Sequence, residues 1–122
     1  MYEYYNPNPC NKRVGDCTVR AICKILNKEW QDVYIDLCID GLLQCDMPSS
    51  NNVWGNYLKK EGYERYIVPD GETVESFCIK HPNGKYLLAL QSHVVTIENG
   101  NYYDMWDSGN EVPLYYWKRK EN

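Results

Sequence analysis

The dipeptide Asn99-Gly100 constrains this chain more than any other feature of its sequence. A two-residue hairpin loop of type I′ needs positive φ at both central positions, and Asn-Gly adopts that pair of conformations most readily. The flanks agree with such a loop. His93-Val94-Val95-Thr96-Ile97-Glu98 is β-branched, and Asn101-Tyr102-Tyr103-Asp104-Met105-Trp106 returns with aromatic residues that suit a strand. A tight loop without a bulge also fixes the register: Glu98 faces Asn101, Ile97 faces Tyr102, Val95 faces Asp104 and His93 faces Trp106. Residues opposite one another in a ladder point to the same side of the sheet, so His93, Val95, Asp104 and Trp106 share a face. Asp104 is then the diagonal neighbour of His93, ~7–8 Å away at the backbone and within reach of a His–Asp hydrogen bond. Asp107 has the wrong parity and falls on the opposite face with Ser92. Hairpin parity therefore selects Asp104 as the partner of His93, with Trp106 placed to shield that bond from water.

The stretch Val14-Gly15-Asp16-Cys17-Thr18-Val19-Arg20-Ala21-Ile22 supplies the complementary group. Gly15 allows a sharp turn and Asp16 suits an N-cap, so a helix is expected from Cys17 to about Asn27. Val19, Ile22, Cys23 and Leu26 recur at helical spacing, while Arg20, Lys24 and Asn27 form the polar stripe. A thiol in the first helical turn meets unpaired backbone N–H groups and the positive end of the helix dipole. Both favour thiolate, the form that attacks carbonyl carbon. A histidine held in one tautomer by a carboxylate is the matching base. Alone, Cys17 reads as a packed thiol and His93 as a satisfied core residue. Together, Cys17, His93 and Asp104 are the candidate catalytic residues, with Trp106 in support.

Composition narrows the function. The chain has 122 residues, which suits one domain over residues 1–122 built on one core. A net charge of −4 disfavours a phosphate-binding surface, and the only basic run is Lys118-Arg119-Lys120 at the end. No nucleic-acid partner is expected. No segment approaches the ~20 apolar residues of a membrane span, and the N-terminus lacks the pattern of a secretory signal, so a cytoplasmic location is expected. In that compartment the six cysteines (Cys10, Cys17, Cys23, Cys38, Cys45 and Cys78) stay reduced, and Cys23, Cys38 and Cys78 read as packing thiols on apolar helix faces. Cys78 and His81 have the spacing of half a zinc site, but no second pair completes it. No metal and no cofactor is expected.

Taken in order, residues 1 to 16 read as irregular because Asn6-Pro7-Asn8-Pro9 forbids a regular helix. After the Cys17 helix, Trp30, Val33, Tyr34, Leu37 and Cys38 predict a one-sided helix from Glu29 that ends at Gly41. A loop follows to Asn51, and then a third helix with Val53, Trp54, Tyr57 and Leu58 inward and Gly62 as its stop. Residues 63 to 71 look extended and then turn. A short helix from Thr73 to Lys80 is closed by His81-Pro82-Asn83-Gly84. Tyr86 to Leu90 reads as a central strand, the hairpin follows, and a last strand from Val112 to Lys118 carries Pro113 as an edge or start signal. The expected class is α+β, with N-terminal helices packed on a C-terminal antiparallel sheet of about four strands.

A buried helix that opens on cysteine, then a strand that opens on histidine, then an acidic residue on the next strand, is similar to the order in papain-like cysteine peptidases. Asp104-Met105-Trp106-Asp107 also resembles the Asn-Ser-Trp-Gly of papain relatives. More closely, Asn6-Pro7-Asn8-Pro9, Gly15-Asp16-Cys17-Thr18-Val19-Arg20-Ala21, His93-Val94-Val95 and Tyr103-Asp104-Met105-Trp106-Asp107-Ser108-Gly109 resemble a group of small papain-like proteins of Firmicutes and their phages. The likeness spans almost the whole chain. It implies a papain-like fold, with Cys17 as nucleophile, His93 as base and Asp104 as orienter. Papain relatives usually carry a Gln upstream of the cysteine as half of the oxyanion hole. None stands there in this chain, and the amides of Asn8 and Asn11 are the available donors beside the Cys17 N–H. The expected activity is a thiol hydrolase or acyltransferase acting on an amide or isopeptide carbonyl of a peptide, a protein or a small amide. The alternative is a non-catalytic papain-fold module that holds a peptide or small ligand in the cleft.

Overall fold

The computed structural model describes residues 1–120. In chain order the elements are β1 (Tyr2–Tyr4), α1 (Cys17–Leu26), α2 (Trp30–Gln44), α3 (Asn51–Lys60), β2 (Tyr63–Ile67), α4 (Val74–Lys80), β3 (Lys85–Leu90), β4 (His93–Glu98), β5 (Asn101–Asp104) and β6 (Tyr115–Arg119). The class is α+β. The strands form one mixed sheet in the order β1-β5-β4-β3-β6-β2, in which only the β1–β5 pair is parallel.

The β4–β5 hairpin has the register its turn dictates. Asn99 and Gly100 have φ of 51° and 80°, and Glu98 pairs with Asn101, Ile97 with Tyr102 and Thr96 with Tyr103. Alternation along the strands divides the core in two. Leu87, Ala89 and Val94 meet Ile22, Leu37, Trp54 and Leu58 from α1, α2 and α3. Leu88, Val95 and Ile97 meet Val74, Phe77 and Tyr102 on the other face, under α4. Thr96 looks out of place on a buried strand, but its hydroxyl donates to the Ala21 carbonyl at 2.6 Å and ties α1 to β4. Helix α4 starts with a reciprocal capping box between Thr73 and Ser76, which explains why so short a helix holds.

Four expectations need correction. The sheet has six strands, two more than expected, and is mixed rather than wholly antiparallel, because β1 pairs with β5 in parallel. One of them is β1, in the segment read as irregular. Three residues are too few to show a period, and the strand exists because the edge of β5 offers partners, with the Met1 amino group donating to Gly100 O at 2.8 Å. Strand β6 is interior, between β3 and β2, and starts after Pro113, so the proline imposes no edge. Helix α2 does not stop at Gly41 but runs to Gln44 and is closed by Cys45 at φ 54°. Nor is it one-sided: Ile35, Ile39, Leu42 and Leu43 are exposed on the face away from the core.

Gly41 has a different task from the one its position suggested. A Cβ there would lie 2.8 Å from the Asp46 carbonyl, because the chain folds back against the helix it has just left. Gly41→Ala should therefore destabilise the protein by about 1–3 kcal/mol in urea unfolding, although alanine is the better helix former. A raised midpoint would show that the return segment yields.

Candidate active site

Cys17 is the first residue of α1, His93 the first of β4 and Asp104 the last of β5. The three elements bring these residues together because β5 pairs with β4 and α1 is tied across β4. His93 Nε2 and Asp104 Oδ2 are 2.7 Å apart. The ring's other nitrogen is then the one left for the Cys17 thiol, which lines the same cleft as His93. The Trp106 ring lies 4.8 Å from the His93 ring, centroid to centroid, and covers it while remaining partly exposed itself. Cys17 and His93 share a cleft of about 340 Å³ whose polar lining comes from Ser49, Asn51 and Ser92.

Asp104 has no exposed surface, yet both of its oxygens are satisfied. Oδ2 also accepts from the Ser108 hydroxyl at 2.8 Å, and Oδ1 accepts from Arg20 Nη2 at 3.1 Å and from the Met105 N–H at 2.9 Å. Burial alone would push its pKa up. The bonds from His93 and Ser108 and the charges of His93 and Arg20 outweigh that and hold it below the usual carboxylate range. Burial likewise opposes the imidazolium of His93, but the Asp104 and Cys17 bonds win and raise its pKa from 6.5 to about 9. Cys17 follows the same contest. Burial raises the thiol, while bonds from His93 and the Val94 N–H, with the His93 charge, bring its pKa below the ordinary value. The other buried thiols lack such partners, and burial lifts Cys23 to about 12 and Cys78 to about 11.

Sequence reasoning missed Arg20. Helical spacing put it on the polar stripe, but it is 3% exposed and bridges Asp104 to Asp16. Asp16 correspondingly makes no side-chain cap bond to α1. One of its oxygens takes Arg20 and the other accepts from Trp30 Nε1 at 2.8 Å. Ser108 was also missed, since a serine after a strand carries no signal of its own.

Asp107 lies beyond the end of β5, so strand parity does not set its facing; its carboxylate accepts from the Tyr102 hydroxyl and the Gly109 N–H, while the carboxylate bonded to His93 is that of Asp104. The two amide candidates part company. Asn11 is exposed in a turn at φ 56° and lines neither the cleft nor the space beside it. Asn8 is buried and lines an adjoining pocket rather than the cleft of Cys17 and His93. Among the described residues, no group of three or more His, Cys, Asp or Glu side chains is placed to hold a metal ion, and no helix is long and apolar enough to cross a membrane. His81, the other half of the zinc spacing, has its Nδ1 at 2.9 Å from the Phe77 carbonyl.

No protein-family model matches the chain, and neither a curated protein nor a solved structure is similar enough to it to count as a match.

Two substitutions test the geometry. Asp104→Ala should slow alkylation of Cys17 near neutral pH, while Asp107→Ala should leave it within a few-fold of wild type; the reverse order would reassign the carboxylate. Arg20→Met leaves two buried carboxylates without their cation and should cost about 3–5 kcal/mol in urea unfolding at neutral pH.

Proposed function

We propose that this protein is a papain-like thiol hydrolase or acyltransferase that attacks an amide or isopeptide carbonyl. The observation that carries the reading is the placement of the Cys17 thiol and the His93 ring on the wall of one cleft, with His93 hydrogen-bonded to a fully buried Asp104. A module that only held a ligand would have no use for a lowered thiol beside a raised imidazole. The order of cysteine-bearing helix, histidine-bearing strand and acid-bearing strand supports the papain-like assignment, and the free state of all six cysteines suits a reducing cytoplasm.

In the resting site the proton of Cys17 resides on His93. The thiolate attacks the carbonyl carbon, a C–S bond forms, and the π pair moves to the oxygen, where the Cys17 N–H, which has no acceptor within its own helix, can meet it. Collapse of the tetrahedral adduct breaks the C–N bond, and the leaving amine takes the proton from the imidazolium. Water, or an acceptor amine in a transferase, then loses its proton to neutral His93 and attacks the thioester. The acid or new amide departs and the thiol is restored. Asp104 keeps the proton-bearing nitrogen fixed and stabilises the imidazolium throughout.

The sign of the pH dependence follows. Below the lowered pKa of Cys17 the thiolate is lost, and above about 9 His93 has no proton to give the leaving amine. Turnover of an amide should thus be bell-shaped with its upper limb near 9, whereas alkylation by iodoacetamide should rise and show no such fall. Mass-resolved iodoacetamide labelling near pH 6 should modify Cys17 ahead of the exposed Cys10 and Cys45, and His93→Ala should abolish the preference while the protein stays folded. If Cys17 reacts no faster than Cys10 and Cys45, the nucleophile reading is wrong. A preferentially reactive Cys17 that turns over no member of an acyl-amide library would leave the binding module as the better account.

A further inference from the structure

Beside the thiol cleft lies a second and larger pocket of about 480 Å³, within the range of small-ligand sites. The two share Thr18 and Ser49 on their walls, so they are contiguous at the first turn of α1. Its walls are mainly apolar: Val19, Trp30, Tyr34, Leu37 and Pro48. The aromatic wall is pre-set. Trp30 stacks on Tyr34 with ring centroids 4.9 Å apart at 21°, and its indole N–H is held by Asp16, which Arg20 holds in turn. The Asn8 side chain is among the polar groups in this lining. Asn8 is 8% exposed, and its oxygen accepts from the Cys10 N–H at 2.8 Å and the Lys12 N–H at 3.4 Å, but its amide N–H groups donate to no described residue. That amide nitrogen reaches solvent, and a ligand oxygen seated in the pocket can accept from it.

We infer that this pocket seats a large aromatic side chain, tyrosine above phenylalanine, on the acyl side of the scissile bond. The inference rests on Cys17 being the nucleophile. The side follows from the chemistry of the thiol. His93 must reach the leaving amine, and His93 does not line this pocket. Gly15 and Asp16 do line it, and they lead directly into the Cys17 N–H that faces the carbonyl oxygen. The acyl substituent therefore runs along the 15–16 segment and away from the imidazole. The Trp30–Tyr34 face favours an aromatic ring, since ring–ring contacts add to simple burial. The free Asn8 amide favours one that carries an oxygen.

The test uses acetyl-alanyl chloromethyl ketones that end in Gly, Ala, Phe or Tyr, with iodoacetamide as the reagent that has no side chain to seat. In each ketone the Cys17 thiolate displaces chloride from the methylene carbon, so a C–S bond forms as the C–Cl bond breaks, and intact mass reads the rate. The tyrosyl and phenylalanyl ketones should label Cys17 roughly 10–200-fold faster than the alanyl one. A Cβ on Gly15 meets nothing within 4 Å, and its φ is not in the left-handed region, so Gly15→Leu adds bulk to the lining of the pocket without strain and should lower that ratio. Tyr34→Ala, at a position 49% exposed, opens the wall and should lower the ratio with little risk to folding. Equal labelling by all four ketones, with iodoacetamide still selective for Cys17, overturns the pocket assignment and leaves the nucleophile standing. A preference that survives both Gly15→Leu and Tyr34→Ala also overturns it. Iodoacetamide that does not prefer Cys17 brings down both readings.

Discussion

A carboxylate with no contact to water is unstable as an ion unless the protein replaces its hydration with donors. Asp104 is such a group, and the site depends on how it is held. Its four donors come from β4, α1 and the turn after β5, so the charge that orients His93 exists only once three separate parts of the chain are docked. The arrangement runs further. Arg20 spends one arm on Asp104 and the other on Asp16, and Asp16 spends its second oxygen on Trp30. One buried cation between two buried anions joins the imidazole at one end to the aromatic wall of a pocket at the other.

This network explains why the beginning of α1 departs from the usual pattern. An aspartate before a helix normally turns its carboxylate onto the first N–H groups. Here the carboxylate is taken by Arg20, and the first turn keeps its N–H groups free beside the thiol. The thiolate is then favoured by the imidazolium and by the Val94 N–H, against a burial penalty that raises Cys23 and Cys78 where no such partner exists. The chemically identical side chains of Cys17, Cys23 and Cys78 are thereby separated by their surroundings alone.

The sequence was most legible where the signal is local. Asn99-Gly100 carries its own conformational demand, and with it came the register from Glu98–Asn101 to Thr96–Tyr103; the expected pairs beyond it, Val95 with Asp104 and His93 with Trp106, are not part of the ladder, because β5 ends at Asp104. The helix that starts at Cys17 was legible for the same reason, in its apolar spacing. Legibility failed where a residue's surroundings come from distant chain. Arg20 fits the polar side of an amphipathic pattern, and nothing within a helical turn reveals that its partner lies on a strand 84 residues away. Strand β1 exists because an edge was available, and α2 continues past Gly41 because the chain after it folds back closely enough to demand a glycine.

By itself, then, the sequence determined the α+β class, the hairpin register and the three residues that meet at the head of α1, because periodicity and positive φ are properties of short stretches of chain. Only the tertiary structure decided the number of strands, the burial of Arg20, the exclusion of Asn11 from the site and the pocket beside the thiol. Each of those depends on which surfaces are left facing one another after the elements pack, and no local pattern encodes a surface's partner.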